Sequence, residues 1–95
     1  MTEQERAVAA AVLHCHDAME GGEAEEVPTD RIMTYLSQEH GFAASEDRSF
    51  VGEVLRRYHG DLWIIGEQSA GPLPTYVFLI EEMAGKIEWD VLGNR

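Results

Sequence analysis

Gly60 divides the chain into two regimes of hydrophobic period, and this division constrains the fold more than any other feature. Before it, apolar residues recur at helical spacing in three segments, each with its own start and stop signals. After it come two β-rich runs, Leu62-Trp63-Ile64-Ile65 and Thr75-Tyr76-Val77-Phe78-Leu79-Ile80, separated by turn-forming residues from Gly66 to Pro74. A chain of 95 residues in this order is expected to form a single α+β domain, three helices followed by a β-hairpin.

The first helix opens at Thr2-Glu3-Gln4-Glu5, a capping box in which Thr2 and Glu5 satisfy each other's backbone amides. Val8, Val12, Cys15 and Met19 then fall on one stripe, and Gly21-Gly22 ends the element. Leu13 lies off that stripe beside Ala9 and Ala10, an apolar patch suited to a homodimer contact. Glu23-Ala24-Glu25-Glu26 is expected to be a solvated connection, without the ligand spacing of a calcium site. The second helix begins after Val27-Pro28, with Thr29 as N-cap, Asp30 in the first turn and Gly41 at the left-handed stop. Ile32, Met33, Tyr35 and Leu36 form its core face.

A third helix is expected from the cap Ser45-Glu46-Asp47 to Gly60. Phe50, Val51, Val54, Leu55 and Tyr58 make its apolar face. Arg48, Ser49, Gly52, Arg56 and His59 lie opposite, flanked by Glu53 and Arg57. Gly52 costs close to 1 kcal/mol relative to Ala in a helix interior, so its presence on the polar face implies that something approaches the backbone there. Near the C-terminus, Lys86-Ile87-Glu88-Trp89-Asp90-Val91 alternates polar and apolar, the pattern of a third antiparallel strand. Met83, Ile87 and Val91 are also spaced four apart, so a terminal helix is the alternative, weakened by Gly85.

Charge is the strongest compositional signal. Eighteen acidic against seven basic side chains give a net charge of −11, yet four of the seven cations lie within residues 28–60. A body this acidic repels phosphate backbones at low ionic strength. Either it meets a basic partner surface or it works in a salt-rich cytoplasm, where repulsion is screened within a few ångströms. Six Arg to one Lys fits a GC-rich or halophilic source. No apolar run approaches a membrane span, and the acidic start lacks a signal-peptide pattern, so a cytoplasmic location is expected.

Signatures of catalysis and of metal or cofactor binding are missing from the sequence. On a helix His14 and His16 point about 160° apart with Cys15 toward the core, so the three cannot close on one ion. Gly66 and Gly71 have phosphate-loop spacing, but Pro72-Leu73 replaces the Lys and Ser or Thr that would meet phosphate and metal. Trp63, Trp89, Tyr76 and Phe78 lack the cationic groove of a single-strand binder and are expected to pack in the core. The expectation is a protein that is not an enzyme and uses no metal or cofactor.

The order of elements over about residues 4–80, with its tight connection between helices two and three, resembles the winged helix-turn-helix family. The stretch Val51-Gly52-Glu53-Val54-Leu55-Arg56-Arg57 is similar to the recognition helix of some of its DNA-binding members. The resemblance implies a third helix in the major groove, with the hairpin tip, the wing, touching phosphate or the minor groove. Arg48, Ser49, Gly52, Arg56, Arg57 and His59 would then face duplex DNA, and the protein would regulate transcription or replication. The wing departs from the pattern, since residues 66–74 hold Glu67 and no Lys or Arg. The alternative is an acidic protein-interaction module or nucleic-acid mimic, of the phage or mobile-element inhibitor type, that binds a basic protein surface.

Overall fold

The computed structural model describes residues 1–19, 25–66 and 71–93. Among them are four α-helices, a π-helical segment and one three-stranded antiparallel sheet. In chain order these are α1 (Glu3–Ala18), β1 (Glu25–Pro28), α2 (Thr29–His40), α3 (Arg48–Arg57), β2 (Ile64–Gly66), β3 (Tyr76–Leu79) and α4 (Glu81–Lys86). α4 runs directly into the π-helical segment Ile87–Val91.

α1 starts through the expected capping box: the Glu5 amide donates to Thr2 Oγ1 at 3.1 Å, and the Thr2 amide donates to Glu5 Oε1 at 2.9 Å. Its buried face is wider than a single stripe, because α2, α3, β1 and the π-helical segment all pack around it. Val8, Val12 and Cys15 are buried as expected, but so are Ala9, Ala11 and Leu13. Leu13, 8% exposed, is therefore a core residue, and the apolar patch expected to support a homodimer does not exist. The Gly21-Gly22 stop lies outside the described residues, and α1 ends with Met19 in extended conformation.

Thr29 does a different job from the one expected. Pro28 occupies the N-cap position and Thr29 is the first helical residue, buried, with its hydroxyl donating to the Pro74 carbonyl at 2.8 Å. The start of α2 is thereby tied to the segment that leads into β3. At the other end Gly41 adopts φ 71°, the left-handed stop expected there, with its amide and that of Phe42 returning to the Leu36 carbonyl.

α3 is shorter than its sequence signals imply. Residues 44–46 form a turn, and the Asp47 carboxylate accepts from the Ala43 amide at 2.7 Å instead of capping the helix. At the C-terminal end the chain turns after Arg57, and the buried Trp63 folds back so that its indole N–H donates to the Leu55 carbonyl at 2.7 Å. That bond satisfies one of the carbonyls every helix end leaves orphaned. Val51, Val54 and Leu55 enter the core from α3, as their spacing predicts.

The third strand is not where the alternation in residues 86–91 placed it. Its place is taken by Glu25–Pro28, which pairs antiparallel with β3 in the register Val27↔Val77, while β2 pairs on the other side in the register Ile65↔Val77. The sheet order is β1-β3-β2. A four-residue edge strand needs little apolar content, and Val27 supplies a fully buried side chain. Residues 86–91 are helical because burial follows the fourfold spacing: Ile87 is fully buried, whereas Trp89, its partner under the strand reading, is 54% exposed. The π turn is marked by the Leu92 amide bonding the Ile87 carbonyl five residues back, at 2.9 Å.

The β2–β3 hairpin forms as expected but is shorter, because Leu62 and Trp63 serve the core from the turn before it. Of the aromatic residues expected in the core, only Trp63 is fully buried; Tyr76 and Phe78 lie half-buried on the outer sheet face with ring centroids 5.3 Å apart. No described helix is long and apolar enough to cross a membrane.

Candidate nucleic-acid interface

Burial redraws the polar face of α3. The residues it leaves exposed are Ser49, Glu53, Arg56 and Arg57, with Arg48 half-buried at the N-terminal edge. Glu53 therefore sits inside the strip and not beside it. It stands four residues before Arg57, the spacing at which a carboxylate and a cation attract along a helix.

Gly52 is buried, and its neighbour is the chain itself. A Cβ built there would lie 2.0 Å from the Pro72 carbonyl oxygen, so the residues that lead from the hairpin loop into β3 rest on the helix backbone. The sequence argument that something approaches Gly52 holds, but that contact takes Gly52 off any surface offered to a ligand. His59 leaves the face as well. It lies beyond the end of α3, exposed, with Nδ1 accepting the Ile65 amide at 3.0 Å.

Arg48 and Arg57 meet carboxylates from neighbouring helices. Arg48 approaches Asp30 in the first turn of α2 at 3.5 Å, a solvent-exposed pair of the kind worth little. Arg57 pairs with Glu5 through Oε2, and the Tyr58 hydroxyl donates to the same oxygen at 3.1 Å. Glu5 is only 5% exposed, yet its carboxyl is lowered from 4.5 to about 2. The backbone amide of Thr2 is the largest cause, and Arg57 and Tyr58 add to it against the opposing effect of burial. The same pair raises the Arg57 guanidinium above its already high value. Sequence spacing did not reveal this cluster, because the capping-box role of Glu5 uses one carboxylate oxygen and the other finds its partners 52 and 53 residues away.

Arg56 extends from the exposed strip, one of its guanidinium nitrogens reaching to 3.0 Å from the position a Gly52 Cβ would take. With Ser49 it makes up the exposed middle of the strip, between Arg48 and Arg57. Glu67 and the rest of residues 67–70 of the loop lie outside the described residues.

The His14-Cys15-His16 cluster is separated as the geometry requires. His14 stacks on Tyr35 with ring centroids 4.3 Å apart, and Cys15 is buried, its thiol pushed up by desolvation. No group of three or more His, Cys, Asp or Glu side chains stands ready to hold a metal among the described residues. Comparison with protein-family models, curated proteins and solved structures gives no match.

Proposed function

We propose that this chain is a winged-helix module that contacts duplex DNA with α3 and regulates transcription or replication. The observation that carries the reading is the charge of α3: three Arg against one Glu on ten residues of a chain whose net charge is −11. Arrangement supports it too. A short turn joins α2 to α3, the β2–β3 hairpin follows, and its loop packs against α3 at Gly52, so helix and hairpin would meet a duplex together. In this reading Arg56 and Ser49 make the contacts that discriminate or position, Arg being able to donate two hydrogen bonds to guanine or to hold a phosphate. Each of the three α3 arginines contributes after exchanging its contact within the chain for phosphate or base.

The test is selection from a randomised duplex pool at low and multi-molar potassium chloride, comparing the native chain with a Ser49→Ala, Arg56→Ala double variant. Both positions are exposed, so the variant keeps its core. A sequence enriched by the native chain and lost in the variant is the expected result. No enrichment at either salt, from folded protein, overturns the reading.

That outcome would favour an acidic module that binds a basic protein surface. The specific observation on its side is the neutralisation of the strip, with Asp30 against Arg48, Glu5 against Arg57 and Glu53 between the exposed cations.

A further inference from the structure

α4 and the π-helical segment together present a second surface, independent of α3. Ile87 is directed into the core, and Val91 and Leu92 pack against its edge. Glu81, Glu82, Lys86, Trp89 and Asp90 are left exposed. The only cation among them is engaged, since Lys86 Nζ pairs with Asp61 Oδ1. What faces solvent is therefore an indole on a segment with three exposed carboxylates, Glu81, Glu82 and Asp90, against one lysine, which pairs with Asp61 and is also within the field of Asp90.

An exposed tryptophan is the less usual half of this pattern. Tryptophan is the residue most enriched among interface hot spots, and its ring face attracts guanidinium and ammonium groups. Helical spacing leaves it outward: Trp89 is two residues after Ile87, roughly 160° round the helix, so it lies on the far side while Ile87 and Leu92, joined by an i+5 bond, pack on the core. Single π turns inside helices are frequent at functional sites.

Charge decides among occupants. A second copy would bring Glu81, Glu82 and Asp90 of both chains together, and like charges across an interface oppose association. Anionic lipid and nucleic acid would meet the same carboxylates. A cationic segment satisfies both parts of the surface.

We propose that the exposed surface of residues 81–90, with Trp89 as its apolar anchor and Glu81, Glu82 and Asp90 on the same segment, docks an arginine-bearing segment of a partner protein. One guanidinium lies on the indole while neighbouring cations meet the carboxylates. The proposal does not depend on α3 reading DNA, and it gives the acidic-module reading a defined surface.

The experiment titrates the full chain at low salt with a synthetic (Arg-Gly)4 peptide, and with (Lys-Gly)4 of the same charge, by calorimetry and by NMR of the two indole N–H resonances. The Trp89 resonance is expected to shift and that of buried Trp63 to stay. The arginine peptide should bind more tightly, Trp89→Leu should weaken it by about threefold or more, and Trp89→Phe should retain most of the affinity. Arg56→Ala should leave peptide binding unchanged, which separates this result from the outcome of the DNA selection. Absence of binding, equal affinity of the Trp89→Leu and native chains, or shifts spread over every acidic surface overturns the proposal. Concentration-dependent dimerisation that Trp89→Leu abolishes would overturn it in favour of a second copy.

Discussion

Gly52 shows how one missing side chain couples two elements. Alanine at this position would gain about 1 kcal/mol in helix propensity. Its Cβ would also meet the Pro72 carbonyl at 2.0 Å, a backbone atom that yields only if the loop moves. A clash that close belongs at the upper end of the ~1–3 kcal/mol cost of overpacking, so Gly52→Ala is expected to lower the melting temperature. Gly85→Ala is the control, because a Cβ there has nothing within 4 Å, and it should raise the melting temperature by the propensity gain alone. Scanning calorimetry of the two variants checks both signs. At Glu5 the expected effect is on pH. Its carboxyl is lowered to about 2, so its contribution is fully present above pH 4.5 and is lost as the pH falls toward 2. Urea midpoints measured across that interval should fall with pH in the native chain and depend on it less in Glu5→Gln.

At the scale of elements, the first three helices were legible, the fourth was not, and the sheet was only half legible. Capping chemistry and fourfold spacing are local, so the start of α1, the stop of α2 at Gly41 and the core face of α3 could be read from neighbouring residues. β1 could not, because four residues with one buried valine become a strand only when β3 offers a free edge 50 residues later. The alternation in residues 86–91 was real but short, and the burial of Ile87 against the helices outweighed it. For the candidate site, the residue types on α3 were legible and their partners were not. Asp30, Glu5 and Pro72 all reach α3 from distant segments. Thr29 offers a test of one such correction. If it capped α2, Thr29→Asp would be a favourable exchange. Since its hydroxyl donates to the buried Pro74 carbonyl, a carboxylate there faces another acceptor, and the variant is expected to lose at least ~1–3 kcal/mol in urea unfolding.

For the whole molecule, the distribution of charge matters more than its total. Among the described helices α3 alone has a cationic excess; α1, α2 and α4 each carry more acids than Lys and Arg. Self-repulsion among the remaining acids opposes the compact state and is screened by salt. The melting temperature is therefore expected to rise by several degrees between about 20 mM and 1 M potassium chloride, where the Debye length falls from tens of ångströms to about 3 Å. A flat response in differential scanning fluorimetry would show that the acids are too well separated to repel.

β1 forms one border of the sheet, and an open border is a template on which other chains can add strands. Here that border carries Glu26, which is exposed, and ends at Pro28, which has no amide to offer an incoming strand. A carboxylate and a proline on so short a border both oppose the addition of a strand from a second copy, a consequence unrelated to any ligand. Glu26→Gln would remove that charge from the border while leaving the core composition as it is.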